Sequence, residues 1–266
     1  MLAPIVRAAF ACVLLTTTSA LSAQSLIYAY NLTIPLVAET PSYQSAIYIH
    51  NASTGTATVS VIYNGATGSA TPGVTTCPSV QIAANAVFKA SLTTLCPGIN
   101  PGSNFGVISA NYGGCCNYMA MYSRAQTPAG NGFSVEGVQE NFYCCGAPLR
   151  EAIGLSRQAA APTFQTNCFI WNADALRAGR FVVTLLTGDG QLIADDIVNL
   201  QAGEFVRLLD VFATIGAPAG DYSNARAQFQ SITPISGGNP VTFVASCTLQ
   251  NSTSFDADFR LAKYHN

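Results

Sequence analysis

Two short stretches of this 266-residue chain each contain a pair of adjacent cysteines. The first, YGGCCNYMAMY, contains Cys115 and Cys116, and the second, NFYCCGAPL, contains Cys144 and Cys145. Four thiolates can hold zinc or copper(I), and a strained bond between neighbouring cysteines can act as a redox switch. Metal motifs, however, usually separate their ligands by two or more residues so that both point at one ion. The spacing therefore favours two disulfides between the motifs, with the metal site and the redox switch as alternatives.

The N-terminus indicates the compartment in which these sulfurs would lie. Arg7 precedes an apolar run over residues 8–15, and small residues lead to Ala23. This pattern predicts a signal peptide over residues 1–23, because the run is far shorter than the ~20 residues of a spanning helix. We expect a secreted or cell-surface protein without a membrane span, periplasmic if the source is Gram-negative. Cleavage would remove Cys12, and the other cysteines should then pair in an oxidising compartment.

The remaining cysteines lie in or beside predicted strands. Cys168 and Cys247 fall in the first and penultimate strands of the second half of the chain. A bond between them would cross the core and, by the chain-entropy model, stabilise the fold by roughly 4.5 kcal/mol. Cys77 and Cys96 bracket IAANAVFKASL, which we interpret as a hairpin. Residues 117–143 predict a second hairpin with its tip at TPAGNG, which would bring the two double-cysteine motifs together at its open end.

Residues suited to catalysis are few. The chain has two histidines, of which His50 lies in a predicted strand, and it contains none of the GxSxG, HExxH, P-loop or GxGxxG motifs. Asp195 and Asp196 are typical of a solvated strand turn. Glu136 and Glu140 are an acid/base pair only if the fold places them around a cleft. We expect no enzyme activity, no metal and no cofactor.

The pattern of the chain is that of an all-β protein. Segments rich in β-branched and aromatic residues alternate with Gly, Pro, Asn and Ser clusters. Helix signals are scarce, and LREAIGLSRQAAA (149–161) predicts a short helix or a linker. Only 9% of the residues are charged, against ~25% in average domains, and the net charge is -2. Such a chain has no basic surface for nucleic acid.

The two halves of the chain resemble each other. IYIHNA (47–52) matches CFIWNA (168–173), VSVIYNG matches VTLLTGDG, and IAANAVFKASL matches LQAGEFVRLLD, in the same order and at similar spacing. This repetition predicts two tandem antiparallel β-sandwich domains, immunoglobulin-like, that arose by internal duplication. The first would cover residues 24–156, including the double-cysteine hairpin, and the second residues 157–266. A single long β-sheet is the alternative.

One aromatic stripe recurs in both halves. Tyr48 and His50 correspond to Phe169 and Trp171, on the face opposite the predicted core. These four residues are the candidate binding residues, and the ligand would be a carbohydrate. The alternative is that Trp171 is buried in the core or against the other domain.

The leading functional hypothesis is a non-catalytic structural or assembly protein outside the cell. QSLIYAYNLTIPLVAE (24–39) is either the edge strand of its own domain or a strand that adds to a neighbouring molecule. The alternative function is an extracellular carbohydrate-binding or adhesion module that recognises surface glycans. Asn31, Asn51 and Asn251 begin glycosylation sequons, which matter only in a eukaryotic source.

Overall fold

The computed structural model describes residues 29, 31–113, 118–139, 149–158, 164–232, 240–255 and 257–264. Within these ranges the chain is almost entirely β, with four antiparallel sheets and two single-turn helices. The sheets pair into two sandwiches, each with its own buried apolar core. The predicted all-β architecture of two antiparallel sandwiches is therefore confirmed, whereas the immunoglobulin-like topology stays a prediction.

The first sandwich joins a five-stranded sheet, ordered β4-β3-β6-β1-β9, to a four-stranded sheet, ordered β5-β2-β7-β8. In β2 every second side chain is buried, as expected for a strand with one face on the core. Its elements are β1 (Asn31–Glu39), β2 (Gln44–Asn51), β3 (Ala57–Gly65), β4 (Gly73–Ile82), β5 (Ala86–Ser91), α1 (Leu92–Leu95), β6 (Asn104–Tyr112), β7 (Met119–Gln126), β8 (Gly132–Glu136) and β9 (Val138–Gln139).

The second sandwich repeats this topology. Its sheets are ordered β13-β12-β15-β10-β18 and β14-β11-β16-β17, so each strand takes the place of the strand numbered nine lower. Its elements are β10 (Leu149–Arg157), β11 (Phe164–Asn172), β12 (Gly179–Leu186), β13 (Leu192–Leu200), β14 (Phe205–Leu208), α2 (Val211–Thr214), β15 (Tyr222–Ile232), β16 (Phe243–Asn251), β17 (Ala257–Leu261) and β18 (Lys263–Tyr264). This identical order supports the interpretation that the chain arose by duplication.

The repeat is visible at single residues. Asn51 is buried, and its Nδ2 donates to Gly55 O at 2.8 Å, while its Oδ1 accepts from Ser53 N at 3.0 Å. Asn172 is buried at the equivalent place, and its Nδ2 donates to Arg177 O at 2.8 Å. Both amides satisfy backbone groups where a strand leaves the sheet. The Asn51 sequon is therefore inaccessible in the folded protein.

β10 corrects the predicted helix or linker over 149–161 and the predicted domain boundary. Leu149–Arg157 pairs with β15 along most of its length and with β18, and it occupies the position that β1 has in the first sandwich. The second sandwich therefore begins at Leu149 and not at residue 157. Good helix formers in this segment favour a helix locally, but burial of Ala152 and Leu155 in the core overrides that preference.

β1 belongs to the sheet of its own sandwich. It pairs with β6 on one side and, through Leu32 and Thr33, with β9 on the other. Seven consecutive residues are buried, so the strand is covered on both faces. For Asn31–Glu39 the structure thus agrees with the own-strand alternative, and donation to a neighbouring molecule would require removing β1 from this core. Residues 24–28 and 30 lie outside the described part of the chain.

Both predicted disulfides are present, but their structural roles are exchanged. Cys77 in β4 bonds to Cys96 at the end of α1. Because β4 and β5 belong to opposite sheets, IAANAVFKASL is not a hairpin but a crossover, and this bond joins the two sheets of the first sandwich. Cys168 and Cys247 face each other on adjacent strands, with Cα atoms 4.0 Å apart. That bond lies within one sheet and does not cross the core.

The predicted double-cysteine hairpin is confirmed over its described part. β7 and β8 pair antiparallel, and Thr127 N donates to Asn131 O at 2.8 Å in the turn between them. Cys115, Cys116, Cys144 and Cys145 lie outside the described residues, as do residues 1–23. Their disulfides and the signal peptide therefore stay predictions.

Candidate functional site

The outer face of the β14-β11-β16-β17 sheet packs against the first sandwich, and we call this interface the seam. Phe169 is buried there, with its ring 6.1 Å from that of Phe105 and 5.9 Å from that of Phe205. Trp171 packs against the same apolar cluster, and its Nε1 donates to Gly203 O at 3.2 Å. Two of the four predicted binding residues therefore lie between the sandwiches, as the burial alternative for Trp171 proposed.

Hydrogen bonds also cross the seam. Asn64 Nδ2 donates to Gly203 O at 2.5 Å, and Thr67 N donates to Phe205 O at 2.8 Å. Further bonds join Thr67 Oγ1 to Glu204 Oε1 (2.8 Å), Asn131 Nδ2 to Ser254 O (2.9 Å) and the Tyr43 hydroxyl to Phe255 O. The two sandwiches are thus fixed to each other by both apolar and polar contacts.

Arg207 of β14 is a half-buried cation in the seam. Its guanidinium carbon lies 4.4 Å from the centre of the Phe105 ring. Within the described ranges, no acidic side chain forms an ion pair with it and no group accepts a hydrogen bond from its guanidinium. Burial lowers the pKa of Arg207. Among the described residues, the Phe105 ring is the group that lies over this half-buried charge.

A crevice of about 220 Å³ adjoins Arg207. In the wall of this crevice, Ser69 Oγ donates to Phe105 O at 3.2 Å and accepts from Phe105 N at 3.1 Å, which holds these two residues together. Both sandwiches line the crevice, through Ala66, Thr67, Gly68, Ser69, Ser103, Phe105, Arg207 and Leu209. A narrower crevice of about 100 Å³ shares Phe105, Arg207 and Leu209 and continues to Phe169.

The equivalent face of the first sandwich, on the β5-β2-β7-β8 sheet, carries the other two predicted residues. Lys89, Tyr48, Tyr122 and Glu136 stand in one row across its four strands. The Tyr48 and Tyr122 rings stack at 4.4 Å and 3°, and Lys89 Nζ lies 5.2 Å from the Tyr48 ring centre. Burial and then Tyr48 raise the pKa of Tyr122, which Lys89 partly offsets. His50 lies one row away, half-exposed.

The four predicted residues are therefore equivalent by position but do not form one site. Tyr48 and His50 lie on the free face, whereas Phe169 and Trp171 lie in the seam. Tyr122 of β7 covers one ring face of Tyr48, and the Lys89 ammonium of β5 lies 5.2 Å from the ring centre. Sequence reasoning missed Arg207 as a site residue, although Lys89 and Arg207 align as the single cation of their strands.

The candidate acidic groups do not converge. Asp195 and Asp196 are exposed on the edge strand β13, and Glu136 lies on the free face of β8, while Glu140 is outside the described residues. Across the residues that can be placed, no three His, Cys, Asp or Glu side chains are grouped as metal ligands. In the same part of the chain no helix has the length and apolar character needed to cross a bilayer.

No family model and no curated protein matches this sequence. Among solved structures, the chain is similar to β-glucuronidase from Bacteroides uniformis, with 13% identity and a TM-score of 0.18 over 86% of this chain and 26% of that chain. β-Glucuronidase from Ruminococcus gnavus in complex with uronic deoxynojirimycin is 10% identical, with a TM-score of 0.17 over 90% of this chain and 37% of that chain. A putative β-galactosidase from Bacteroides fragilis is 10% identical, with a TM-score of 0.17 over 85% of this chain and 32% of that chain. The chain spans little more than a third of these proteins at most, and such low TM-scores establish neither its family nor its function.

Proposed function

We propose that this protein is a non-catalytic extracellular structural or assembly protein that associates end to end. One observation carries the proposal: two equivalent sheet faces have different surroundings. The face of the second sandwich that contains Phe169 and Arg207 is covered by the first sandwich. The equivalent face of the first sandwich leaves Lys89 and Val87 exposed, Val87 by 59%.

A repeated fold with one such contact inside the molecule can form the same contact between molecules. The acceptor end of the second sandwich would be the β12–β13 turn and the start of β15, which correspond to the parts of the first sandwich that supply Thr67 and Phe105. Tyr222 begins β15 and is stacked on Phe212 of its own sandwich, and Asp189 in the β12–β13 turn offers a carboxylate to Lys89. Because donor and acceptor surfaces differ, such a contact does not close on itself and produces a chain of molecules.

The composition agrees with this role. A low content of charged residues, a disulfide bond in each sandwich and a predicted signal peptide are typical of proteins that pack together outside the cell. Strand addition through residues 24–39 is the less favoured route of self-association, because Asn31–Glu39 is already paired and buried.

Charge exchange tests this contact. Light scattering and electron microscopy of the mature protein should show linear assemblies that grow with concentration. Lys89→Asp should shift them to monomers, and the added change Asp189→Lys should restore them. Arg180→Asp is the matched control, since Arg180 faces outward from β12, in the sheet of the second sandwich that does not form the seam. Monomeric wild-type protein at all concentrations, or equal loss in the Arg180 variant, would contradict the proposal.

A carbohydrate-binding or adhesion module is the second candidate. The stacked Tyr48 and Tyr122 rings favour it, since aromatic side chains are common in such sites. Glycan-array binding that Tyr122→Ala abolishes, in a protein that stays monomeric, would support this candidate over assembly. An array without binding by the wild type would remove it.

A further inference from the structure

We propose that the crevice at Arg207 binds the carboxylate of an acidic sugar, the uronic acid unit of an extracellular glycan being the simplest case. This site differs from the free face proposed for assembly and does not depend on it.

The charge of Arg207 is the first argument. A half-buried cation without an acidic partner is costly, because burial removes its hydration. The Phe105 ring at 4.4 Å recovers only part of that cost. The guanidinium has five N–H donors in a plane, and a carboxylate accepts two of them in parallel. A bound monoanion would therefore satisfy a group that the described residues leave unsatisfied.

The hydroxyl groups of the wall are the second argument. Thr67 Oγ1 donates to Glu204 Oε1, and Ser69 Oγ donates to Phe105 O, so each has used its single proton. Their remaining lone pairs can only accept. A ligand with several hydroxyl donors beside its carboxylate matches this wall, whereas a simple inorganic anion offers no such donors.

Glu204, which is bonded to Thr67 in the wall of the crevice, forms no ion pair with Arg207. Glu204 Oε1 accepts from Thr67 Oγ1, and its Oε2 accepts from Gln201 N at 2.7 Å. Both oxygens therefore already accept a hydrogen bond from another group.

The size of the crevice is the third argument. At about 220 Å³ it is smaller than the ~300–1,000 Å³ of pockets for drug-sized ligands and suits a single sugar ring. Since both sandwiches contribute to the lining, one ligand would touch both and hold the seam closed.

The chain contains its own reporter for this site. Trp171 is the single tryptophan, and it pairs with Phe205, two residues before Arg207 on β14. Titration of the mature protein with sodium D-glucuronate should therefore give a saturable change in tryptophan fluorescence. D-Glucose should give none, and sodium sulfate should bind at least about tenfold more weakly, since it lacks the hydroxyl donors.

Variants assign the response to the crevice. Arg207→Gln should weaken glucuronate binding at least about tenfold, and Arg207→Lys, which keeps the charge but loses the planar fork, should fall between it and the wild type. Arg180→Gln is the control for removal of a cation elsewhere and should bind like the wild type. Thermal unfolding of each variant separates a lost site from a lost fold, and Arg207→Lys remains informative if Arg207→Gln does not fold.

Three outcomes would overturn the proposal. They are a wild type without a saturable response, an Arg207→Gln or Arg207→Lys variant that binds glucuronate as the wild type does, and sulfate that binds as tightly as glucuronate. The last would reveal an oxyanion site with no selectivity for a sugar.

Discussion

Lys89 and Arg207 show how strongly the surroundings of one residue determine its chemistry. Both are the single cation of equivalent strands, and both pair with an aromatic residue across the sheet. Lys89 is exposed over the Tyr48 ring, whereas Arg207 is half-buried at the seam with its guanidinium over Phe105. The same position therefore serves as a solvated contact residue in one sandwich and as a candidate anion ligand in the other.

Glu39 gives a prediction at this scale. It ends β1, and its Oε2 is buried without a hydrogen-bond partner among the residues described. Burial raises the pKa of this carboxyl, and a backbone hydrogen bond from Ser45 lowers it by less. Since the pKa is higher in the folded protein than in the unfolded chain, folding favours the protonated form. The folded protein therefore loses stability, relative to a variant with a neutral side chain here, as the pH rises from the pKa of the unfolded chain through the higher pKa of the folded protein.

Glu39→Gln should accordingly raise the Tm at pH 7 by on the order of 1–2 °C, a small gain because the group is partly exposed. The difference in Tm should disappear below about pH 4, where the Glu39 carboxyl is protonated and as neutral as the glutamine that replaces it. Circular dichroism melts across this pH range measure the effect, and Glu136→Gln, which removes a carboxyl from the free face of β8, is the matched control. A variant that is less stable than the wild type at pH 7 would contradict the assignment.

Among elements, β13 is an exposed nine-residue edge strand, which sheets must protect from pairing with other chains. Asp196 lies opposite Val183, whose side chain is buried, so it stands on the core side of the sheet edge. An inward-pointing charge at an edge prevents another strand from adding there.

Asp196→Val should therefore produce β-sheet aggregates that bind thioflavin T. Asn199→Val is the matched control on the same strand, because Asn199 lies opposite Arg180 on the outward side. The aggregation should persist when Lys89→Asp is added, which separates it from the end-to-end contact. An Asp196→Val protein that remains as soluble as the wild type would show that other features protect this edge.

For the whole molecule, the disulfides decide how the sandwiches are held. Two bonds are described, one between the sheets of the first sandwich and one within a sheet of the second. If the remaining four mature cysteines also pair, the intact mass of secreted protein should lie about 8 Da below the reduced mass.

Peptides with Cys115 and Cys116 should stay linked to those with Cys144 and Cys145 until reduction. Loss of these bonds should destabilise the first sandwich, since each native disulfide typically contributes ~2–5 kcal/mol. Denaturant unfolding of the Cys168→Ala, Cys247→Ala double variant is the comparison, because it changes the second sandwich alone. Free thiols or a stoichiometric metal at the four positions would contradict the prediction.

The sequence by itself determined what depends on neighbouring residues. Alternation in IYIHNA and CFIWNA, the TPAGNG turn and the spacing of the cysteines were sufficient to predict the all-β class, the β7–β8 hairpin and both described disulfides. Asn51 and Asn172 mark the same place in each repeat because each satisfies backbone groups where a strand leaves the sheet. Such local requirements are visible in any short stretch of chain.

Only the tertiary structure decided which strands pair and which faces are covered. IAANAVFKASL has the pattern of a hairpin, yet β4 and β5 join opposite sheets, and LREAIGLSR has the composition of a helix, yet the core makes it β10. Phe169 and Tyr48 have the same pattern around them, but only Phe169 is covered by the other sandwich. Strand pairing and burial depend on residues distant in sequence, and a local pattern leaves both undetermined.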